Sequence, residues 1–318
     1  MAKLGWRVAM SAYRYQGVSR LACPVTAWEP TGPCQPAAYS CTPVATLPAG
    51  FDLPLLGGAS SPRESEFCLS ETADVMRWTE IVRGMPGVDP NSILMMGGSH
   101  GACVTLRAVE QGVQVKAAIA LAPPPDFERG ALAQAATLPA ASRPAFYANG
   151  WPHLLGGRPD EVPEAYHARS PLRMAVDLQR RPDFPLLVAA EVDDPLVGAW
   201  GSCDLAQVVG MRAYFYGLDP DSSYVLRPTP SPTELGDCSS HSLSWRPTEP
   251  TWTQGGTTFL LYEQPAGGGL CGLRHAYAAS FDLTTFVDTM DGIMAGVMDT
   301  EVGKFIVRWF PSPPPAAL

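Results

Sequence analysis

The sequence of 318 residues has no long hydrophobic run, few basic residues and no closely spaced metal ligands. No apolar stretch approaches the ~18 residues that span a bilayer, and the start, Met1 to Gly5, lacks the long apolar region of a signal peptide. With 22 Lys and Arg against 31 Asp and Glu, the net charge of −9 argues against nucleic acid or a membrane surface as a partner. We therefore expect a soluble protein, cytoplasmic or secreted, with no metal and no cofactor.

Eight cysteines are many for a cytosolic enzyme of this size, so an oxidising compartment stays open. Cys34 and Cys41 form one candidate disulfide, and Cys238 and Cys271 form another across a long insertion. Cys103 is expected to be a small buried core residue instead. The 33 prolines and 30 glycines predict long irregular loops.

One stretch combines a short apolar strand, a glycine-flanked serine and a helix. Ile93–Met96 reads as a buried strand, Gly97, Ser99 and Gly101 form a Gly-x-Ser-x-Gly corner, and apolar residues at helical spacing follow up to a stop at Gly112. This context is typical of the nucleophile elbow of α/β-hydrolases, in which small residues flank a serine exposed above the sheet. The alternative is a purely structural strand-turn-helix.

The remaining elements alternate between helices and buried strands, which predicts right-handed crossovers and an α/β fold with a mostly parallel, doubly wound sheet flanked by helices. A helix is expected over Glu71–Arg83, capped by Ser70 or Thr72, with an apolar stripe that ends at Met85. The expected strands are one within residues 4–14 that ends at Tyr13-Arg14, and then 115–122, 185–191 and 257–263. A further helix is expected around 203–211.

We expect a single domain over residues 1–310 that is followed by a frayed tail, 311–318. A helical excursion or lid covers 126–182, and a Pro/Ser-rich surface loop is inserted at 219–256. Residues 20–67 read as a long loop with little periodicity. The C-terminal helices are expected to add apolar residues to the core: Phe286, Met290, Phe305, Ile306, Trp309 and Phe310.

A catalytic serine needs an imidazole to take its proton and an acid to orient that imidazole. On a parallel sheet these groups come from loops at the carboxyl ends of different strands, in the chain order Ser, acid, His. Ser99, Asp194 and His275 follow expected strands in that order. Asp193 is the rival acid, and Glu191 a weaker one.

Other histidines leave alternatives open. His241 is a second candidate base, and His153 and His167 read as surface or lid residues. The side chain of His100 should point away from Ser99, while its backbone N–H is a candidate oxyanion-hole donor. In α/β-hydrolases the second donor comes from a loop upstream of the strand that carries Tyr13. The sequence starts after the point where that loop would lie, so we expect an N-terminally truncated fold. Tyr13 is either a packed aromatic residue or a hydroxyl donor in its place.

Four segments carry a resemblance to a known family: Tyr13-Arg14 at a strand exit, DPNSILMMGGSHGA over 89–102, GGRPDEVPEAYHARSPL over 156–172, and Asp194-Pro195-Leu196-Val197. The chain resembles the catalytic domain of prolyl-oligopeptidase-like (S9-type) serine hydrolases of the α/β-hydrolase superfamily. The resemblance implies an acyl-enzyme mechanism on a peptide or ester, with Ser99 as nucleophile, Asp194 as acid and His275 as base.

The expected function is therefore a serine hydrolase that acts on a small ester or a short peptide, as a carboxylesterase or a peptidase. The alternative is a non-catalytic or truncated α/β-hydrolase-like protein without a complete oxyanion hole. The sequence leaves the oligomeric state open.

Overall fold

The computed structural model describes residues 66–192, 194, 197–218, 224–263 and 301–310. The strands of this part are β1 Leu94–Gly98, β2 Ala117–Leu121, β3 Leu186–Glu191, β4 Arg212–Leu218, β5 Tyr224–Arg227 and β6 Thr257–Tyr262. They form one sheet in the order β1-β2-β3-β6-β4-β5. All neighbours run parallel except β4 and β5. The expected mostly parallel sheet is confirmed.

Helices connect these strands. They are α1 Ser70–Arg83, α2 His100–Glu110, α3 Phe127–Thr137, α4 Arg143–Asn149, α5 Trp151–Leu154, α6 Pro163–His167, α7 Ala175–Gln179, α8 Ala199–Val209, α9 Pro232–Leu235 and α10 Glu301–Trp309. The segment between β2 and β3 is mostly short helices, α3 to α7, with 3₁₀ turns at Ala140–Ser142 and Pro171–Met174.

Both faces of the sheet are covered, as side-chain alternation along a strand requires. On one face, Ala118 and Ala120 of β2 share a buried cluster with Leu106 of α2. On the other, Ile119 shares a cluster with Phe305 of α10. The sheet is thus the middle layer between helices, which is the expected doubly wound arrangement.

The sequence predicted α1 and its last residue, Arg83, correctly but not its N-terminal cap. Leu69 is the N-cap residue, and no side chain caps the helix, so the caps expected from Ser70 and Thr72 are wrong. The Thr72 hydroxyl instead donates to the carbonyl of Cys68 at 2.8 Å. Met85, expected in the apolar stripe, lies past the last helical residue and is 38% exposed.

The insertion is not wholly a surface loop as expected, because its described part, residues 224–256, contains β5, which pairs antiparallel with β4. Sequence analysis missed both strands. Trp252 and Cys238 are buried, and Trp245 packs against the core. The pattern was weak because β5 is short and its stability comes from its neighbour rather than from its own residues.

The cysteine pairing also differs from the expectation. Cys103 is not a free core residue, because it forms a disulfide with Cys68. Cys238 is bonded to Cys203 of α8, so the proposed pair with Cys271 is wrong. Spacing alone does not determine connectivity, since any two cysteines that the fold brings together can bond.

Several expectations fall on residues outside the described part: the strand with Tyr13, the pair Cys34 and Cys41, the rival acid Asp193, the core residues Phe286 and Met290, the base His275 and the tail 311–318. In α10, Phe305, Ile306 and Phe310 are buried as expected, and Trp309 is partly buried. No described helix has the length and hydropathy to cross a bilayer. Nor do the described residues gather three potential His, Cys, Asp or Glu metal ligands.

Candidate active site

Ser99 occupies the turn between the last residue of β1 and the first residue of α2. Its backbone has φ 51° and ψ −118°, a conformation that residues with a side chain rarely adopt. Such strain costs about 1–3 kcal/mol and persists where the surroundings enforce it. The N–H of Ser99 donates to the carbonyl of Leu121 in β2 at 2.8 Å, which helps to hold the turn. This strained strand-turn-helix is compatible with the expected nucleophile elbow.

Gly97 shows why the turn needs a small residue before the serine. A Cβ at this position would lie 2.1 Å from the carbonyl oxygen of Gly101 and 2.8 Å from Oγ1 of Thr105. The Thr105 hydroxyl donates to the same Gly101 oxygen at 2.9 Å, so this oxygen is held in place. A Cβ on Gly98, by contrast, would meet nothing within 4 Å. The Gly-x-Ser-x-Gly spacing thus has a steric cause at Gly97.

Backbone hydrogen bonds continue past the strand ends and bring four of them to one edge of the sheet. These bonds run from Ser99 N–H to Leu121 O (2.8 Å), from Ala122 N–H to Ala189 O (2.7 Å) and from Val192 N–H to Tyr262 O (2.7 Å). The carboxyl ends of β1, β2, β3 and β6 therefore lie side by side. Because β2 separates β1 from β3, those two strands are about 10 Å apart. Ser99 and Asp194 leave the sheet at this common edge.

Asp194, the sequence-predicted acid, follows β3 and is 5% exposed. Its Oδ1 accepts the backbone N–H of Val197 at 3.0 Å, which orients the carboxylate. The predicted base, His275, lies outside the described residues, as does the rival acid Asp193. β6, the strand that precedes His275 in the chain, ends beside β3.

His241, the alternative base, has a partner of its own. Its Nε2 contacts Oδ1 of Asp204 in α8, and its Nδ1 lies 3.3 Å from the hydroxyl of Ser240. The other oxygen of Asp204 contacts Arg129 of α3. This group ties the insertion to two helices. His153 and His167 both lie in the helical excursion. His153 is exposed, and Nε2 of His167 lies 2.8 Å from Oε2 of Glu128.

The imidazole of His100 is held on the side of the residues that precede α1. Its Nε2 accepts the backbone N–H of Cys68 at 3.2 Å, and the ring of Phe67 stacks on it with centroids 4.5 Å apart. Burial lowers the pKa of His100, while the carboxylate of Glu71 acts in the opposite direction. A nitrogen that accepts a hydrogen bond carries no proton, so the neutral imidazole has its proton on Nδ1.

Sequence analysis missed Phe67 and Cys68 as neighbours of the elbow, because they end a loop without periodicity. Phe67 also contacts Phe127 of α3 and Trp151 of α5, with ring centroids 5.7 and 6.1 Å away. An aromatic group therefore borders His100 on the side of the helical excursion. The sequence holds no signal for it, since these rings come from three separate segments.

No model of a known protein family matches the chain, and no curated protein does so. Solved structures do match. Dipeptidyl peptidase 4 of Porphyromonas gingivalis has 22% identity and a TM-score of 0.35, over 45% of this chain and 18% of that one. A puromycin-hydrolyzing peptidase of Mycobacterium tuberculosis has 22% identity and a TM-score of 0.37, over 62% and 22%. Acylaminoacyl peptidase of Pyrococcus horikoshii has 16% and 0.37, over 63% and 23%.

All three are peptidases. The match spans about a fifth of the length of those chains.

Proposed function

We propose that this chain is a serine hydrolase in which Ser99 attacks an ester or peptide carbonyl. The observation that carries the proposal is the backbone of Ser99, which is strained at the junction of β1 and α2 with Gly97 packed against Gly101. A structural turn has no need for a serine in this conformation, since glycine adopts it without strain. A nucleophile does need it, because the turn lifts the hydroxyl above the sheet edge.

The proposed chemistry uses Ser99 and Asp194, which leave the sheet at this edge, and His275, which the chain order Ser, acid, His assigns as base. Ser99 Oγ attacks the carbonyl carbon, its proton passes to His275, and His275 returns that proton to the leaving group as the acyl-enzyme forms. Water then attacks the ester carbon of the acyl-enzyme with His275 as base, which releases the acid and regenerates the serine. Asp194 orients the imidazole and stabilises its cation. The hydrogen bond that its carboxylate accepts from the N–H of Val197 supports this role.

The developing oxyanion needs hydrogen-bond donors, and His100 supplies the first from its backbone N–H. It is the first residue of α2, where the helix dipole also favours negative charge. A missing second donor would cost about 10²–10³ in rate. A slow acyl transfer is therefore compatible with this site.

A fluorophosphonate probe tests the nucleophile directly, since it bonds covalently to an activated serine. Wild type should label, Ser99→Ala should not, and Ser92→Ala should label like wild type. Ser92 is an exposed serine at the other end of the β1 segment and serves as the matched control. Absence of labelling in wild type, or equal labelling of Ser99→Ala, would favour the non-catalytic alternative.

Substrate class is resolved by comparing hydrolysis of p-nitrophenyl acetate with that of a short proline-containing peptide. The motif resemblance to prolyl-oligopeptidase-like hydrolases favours a peptide, whereas the chemistry of an acyl-enzyme applies to either carbonyl. Turnover of the ester alone would define a carboxylesterase.

We also infer that the protein folds in an oxidising compartment. The described residues contain two disulfides, and such bonds are rare in proteins of the reducing cytosol. Counting free thiols in protein isolated from its native source, under denaturing and alkylating conditions, tests this inference. Free thiols at Cys68, Cys103, Cys203 and Cys238 would contradict it.

A further inference from the structure

The disulfide between Cys68 and Cys103 joins the segment before α1 to the helix that begins at the elbow. Both cysteines are fully buried. Cys103 lies in the first turn of α2, where its N–H donates to the carbonyl of Ser99 at 3.2 Å. One end of the disulfide is therefore one hydrogen bond away from the candidate nucleophile.

The other end of the disulfide holds His100. The N–H of Cys68 donates to His100 Nε2 at 3.2 Å, and the Phe67 ring is stacked within 13° of parallel on the imidazole. The peptide bond between Ser99 and His100 connects this imidazole to the candidate nucleophile. Any shift of Cys68 would thus be transmitted through the imidazole to the Ser99–His100 peptide.

The segment that carries Cys68 would not keep its conformation unaided. Phe67 and Cys68 are consecutive left-handed residues with φ 49° and 67°, which residues with side chains avoid. Further ties hold their flanks: Arg169 Nε donates to the carbonyl of Glu66 at 2.6 Å, and the Thr72 hydroxyl donates to that of Cys68. Strained backbone of this kind clusters at functional sites.

We propose that the Cys68–Cys103 disulfide is a positioning device for the elbow: it fixes Cys68 against His100 and so keeps the Ser99–His100 peptide in its reactive orientation. The inference rests on the proposed function, because it concerns the reactivity of Ser99. Cys68 and Cys103 are positioning residues, since neither touches the reacting atoms.

The second disulfide provides a matched control. Cys203 and Cys238 are also fully buried and are also 35 residues apart in the sequence. Loop-closure entropy depends on that separation, so the loss of either bond should destabilise the chain by a similar amount. The Cys203–Cys238 bond joins α8 to the turn at Gly236–Cys238 and includes no residue of β1, α2 or the segment before α1.

The experiment compares wild type with Cys68→Ser/Cys103→Ser and Cys203→Ser/Cys238→Ser in the full chain. Fluorophosphonate labelling rates, and kcat and KM for p-nitrophenyl acetate, are measured at a temperature at which thermal unfolding shows all three to be folded. The first variant should label about tenfold or more slowly, with kcat reduced more than KM, because small misplacements of reacting groups are costly. The second should stay close to wild type.

A readout independent of activity follows the imidazole itself. In ¹⁵N NMR of the five histidines, the His100 titration midpoint should lie below the ordinary ~6.5 in wild type and rise towards it in Cys68→Ser/Cys103→Ser. The Cys203→Ser/Cys238→Ser variant should leave it unchanged. A purely structural disulfide would not move this midpoint selectively.

If the first variant does not fold, Phe67→Leu takes its place, since it keeps the disulfide but removes the ring stacked on His100. It should slow labelling by about twofold to tenfold. The inference would be overturned if Cys68→Ser/Cys103→Ser, or Phe67→Leu in its place, labelled at the wild-type rate with an unchanged His100 midpoint. Equal losses of labelling rate in the two disulfide variants would also overturn it. A wild type that never labels contradicts the proposed function, and the inference falls with it.

Discussion

Gly97 and Gly101 approach each other so closely that a Cβ on Gly97 would lie 2.1 Å from the Gly101 carbonyl oxygen. That separation is shorter than any non-bonded contact to a carbon atom, so a side chain there would push β1 and α2 apart. Gly98, one residue further along, has open space around it. The two glycines therefore make opposite predictions for the same substitution.

Gly97→Ala should lower the free energy of unfolding by about 1–3 kcal/mol or more, as for overpacked sites, and should abolish probe labelling. Gly98→Ala should leave both nearly unchanged. Urea unfolding and fluorophosphonate labelling of the two variants measure the effects. Equal stability of the two alanine variants would contradict the elbow geometry.

The strain at Ser99 predicts that function and stability oppose each other at this residue. Ser99→Gly should raise the free energy of unfolding by about 1 kcal/mol, because glycine adopts φ 51° freely, and should eliminate labelling. Ser99→Ala should eliminate labelling with little gain in stability, since alanine keeps the strain. Ser92→Gly, at a residue without positive φ, should not stabilise the chain. Denaturant titrations give the comparison, and a destabilised Ser99→Gly would refute the strain.

Asp194→Asn tests the charge of the candidate acid separately from its hydrogen bond with Val197. The amide oxygen can still accept the N–H of Val197, so the fold should persist, while probe labelling should slow by about 10³–10⁴. Asp183→Asn is the control, because that exposed carboxylate precedes β3 at the opposite end of the same strand. Comparable labelling of the two variants would assign the acid to another residue.

The raised pKa of the buried Glu110 carboxyl group predicts that the free energy of unfolding depends on pH. Burial raises its pKa to about 8, Arg107 lowers it in part, and Asp177 raises it further. Between about pH 4.5 and 8, the folded state holds a proton that the unfolded state has lost, so the free energy of unfolding falls as pH rises.

Glu110→Gln should remove that fall, because the amide stays neutral and its oxygen can still accept from Arg107 Nη1. Relative to wild type, the variant should gain up to about 4 kcal/mol between pH 5 and 9. Urea unfolding at several pH values measures the difference. Glu80→Gln, on the exposed surface of α1, should show no such change. Parallel pH curves for wild type and Glu110→Gln would disprove the raised pKa.

The local features of this protein could be predicted from its sequence. Gly97, Ser99 and Gly101 predicted a strand-turn-helix because the sterics of that turn involve only residues a few positions apart. The strands at 115–122, 185–191 and 257–263 were found for the same reason: a buried parallel strand is a continuous apolar run bounded by turn residues. Asp194 was selected because a proline follows it at a strand exit, and in the structure it is buried and accepts the N–H of Val197.

Features that depend on distant residues were decided by the tertiary structure. β6 lies between β3 and β4 although it comes last of the three in the chain, and β5 is a strand because β4 lies beside it. Cys68 bonds to Cys103, and the strained Phe67 rests on His100, because packing brings α1 to α2. The physical reason is that local sterics are encoded within a few residues, whereas disulfide partners and strand neighbours depend on which surfaces the whole fold buries together.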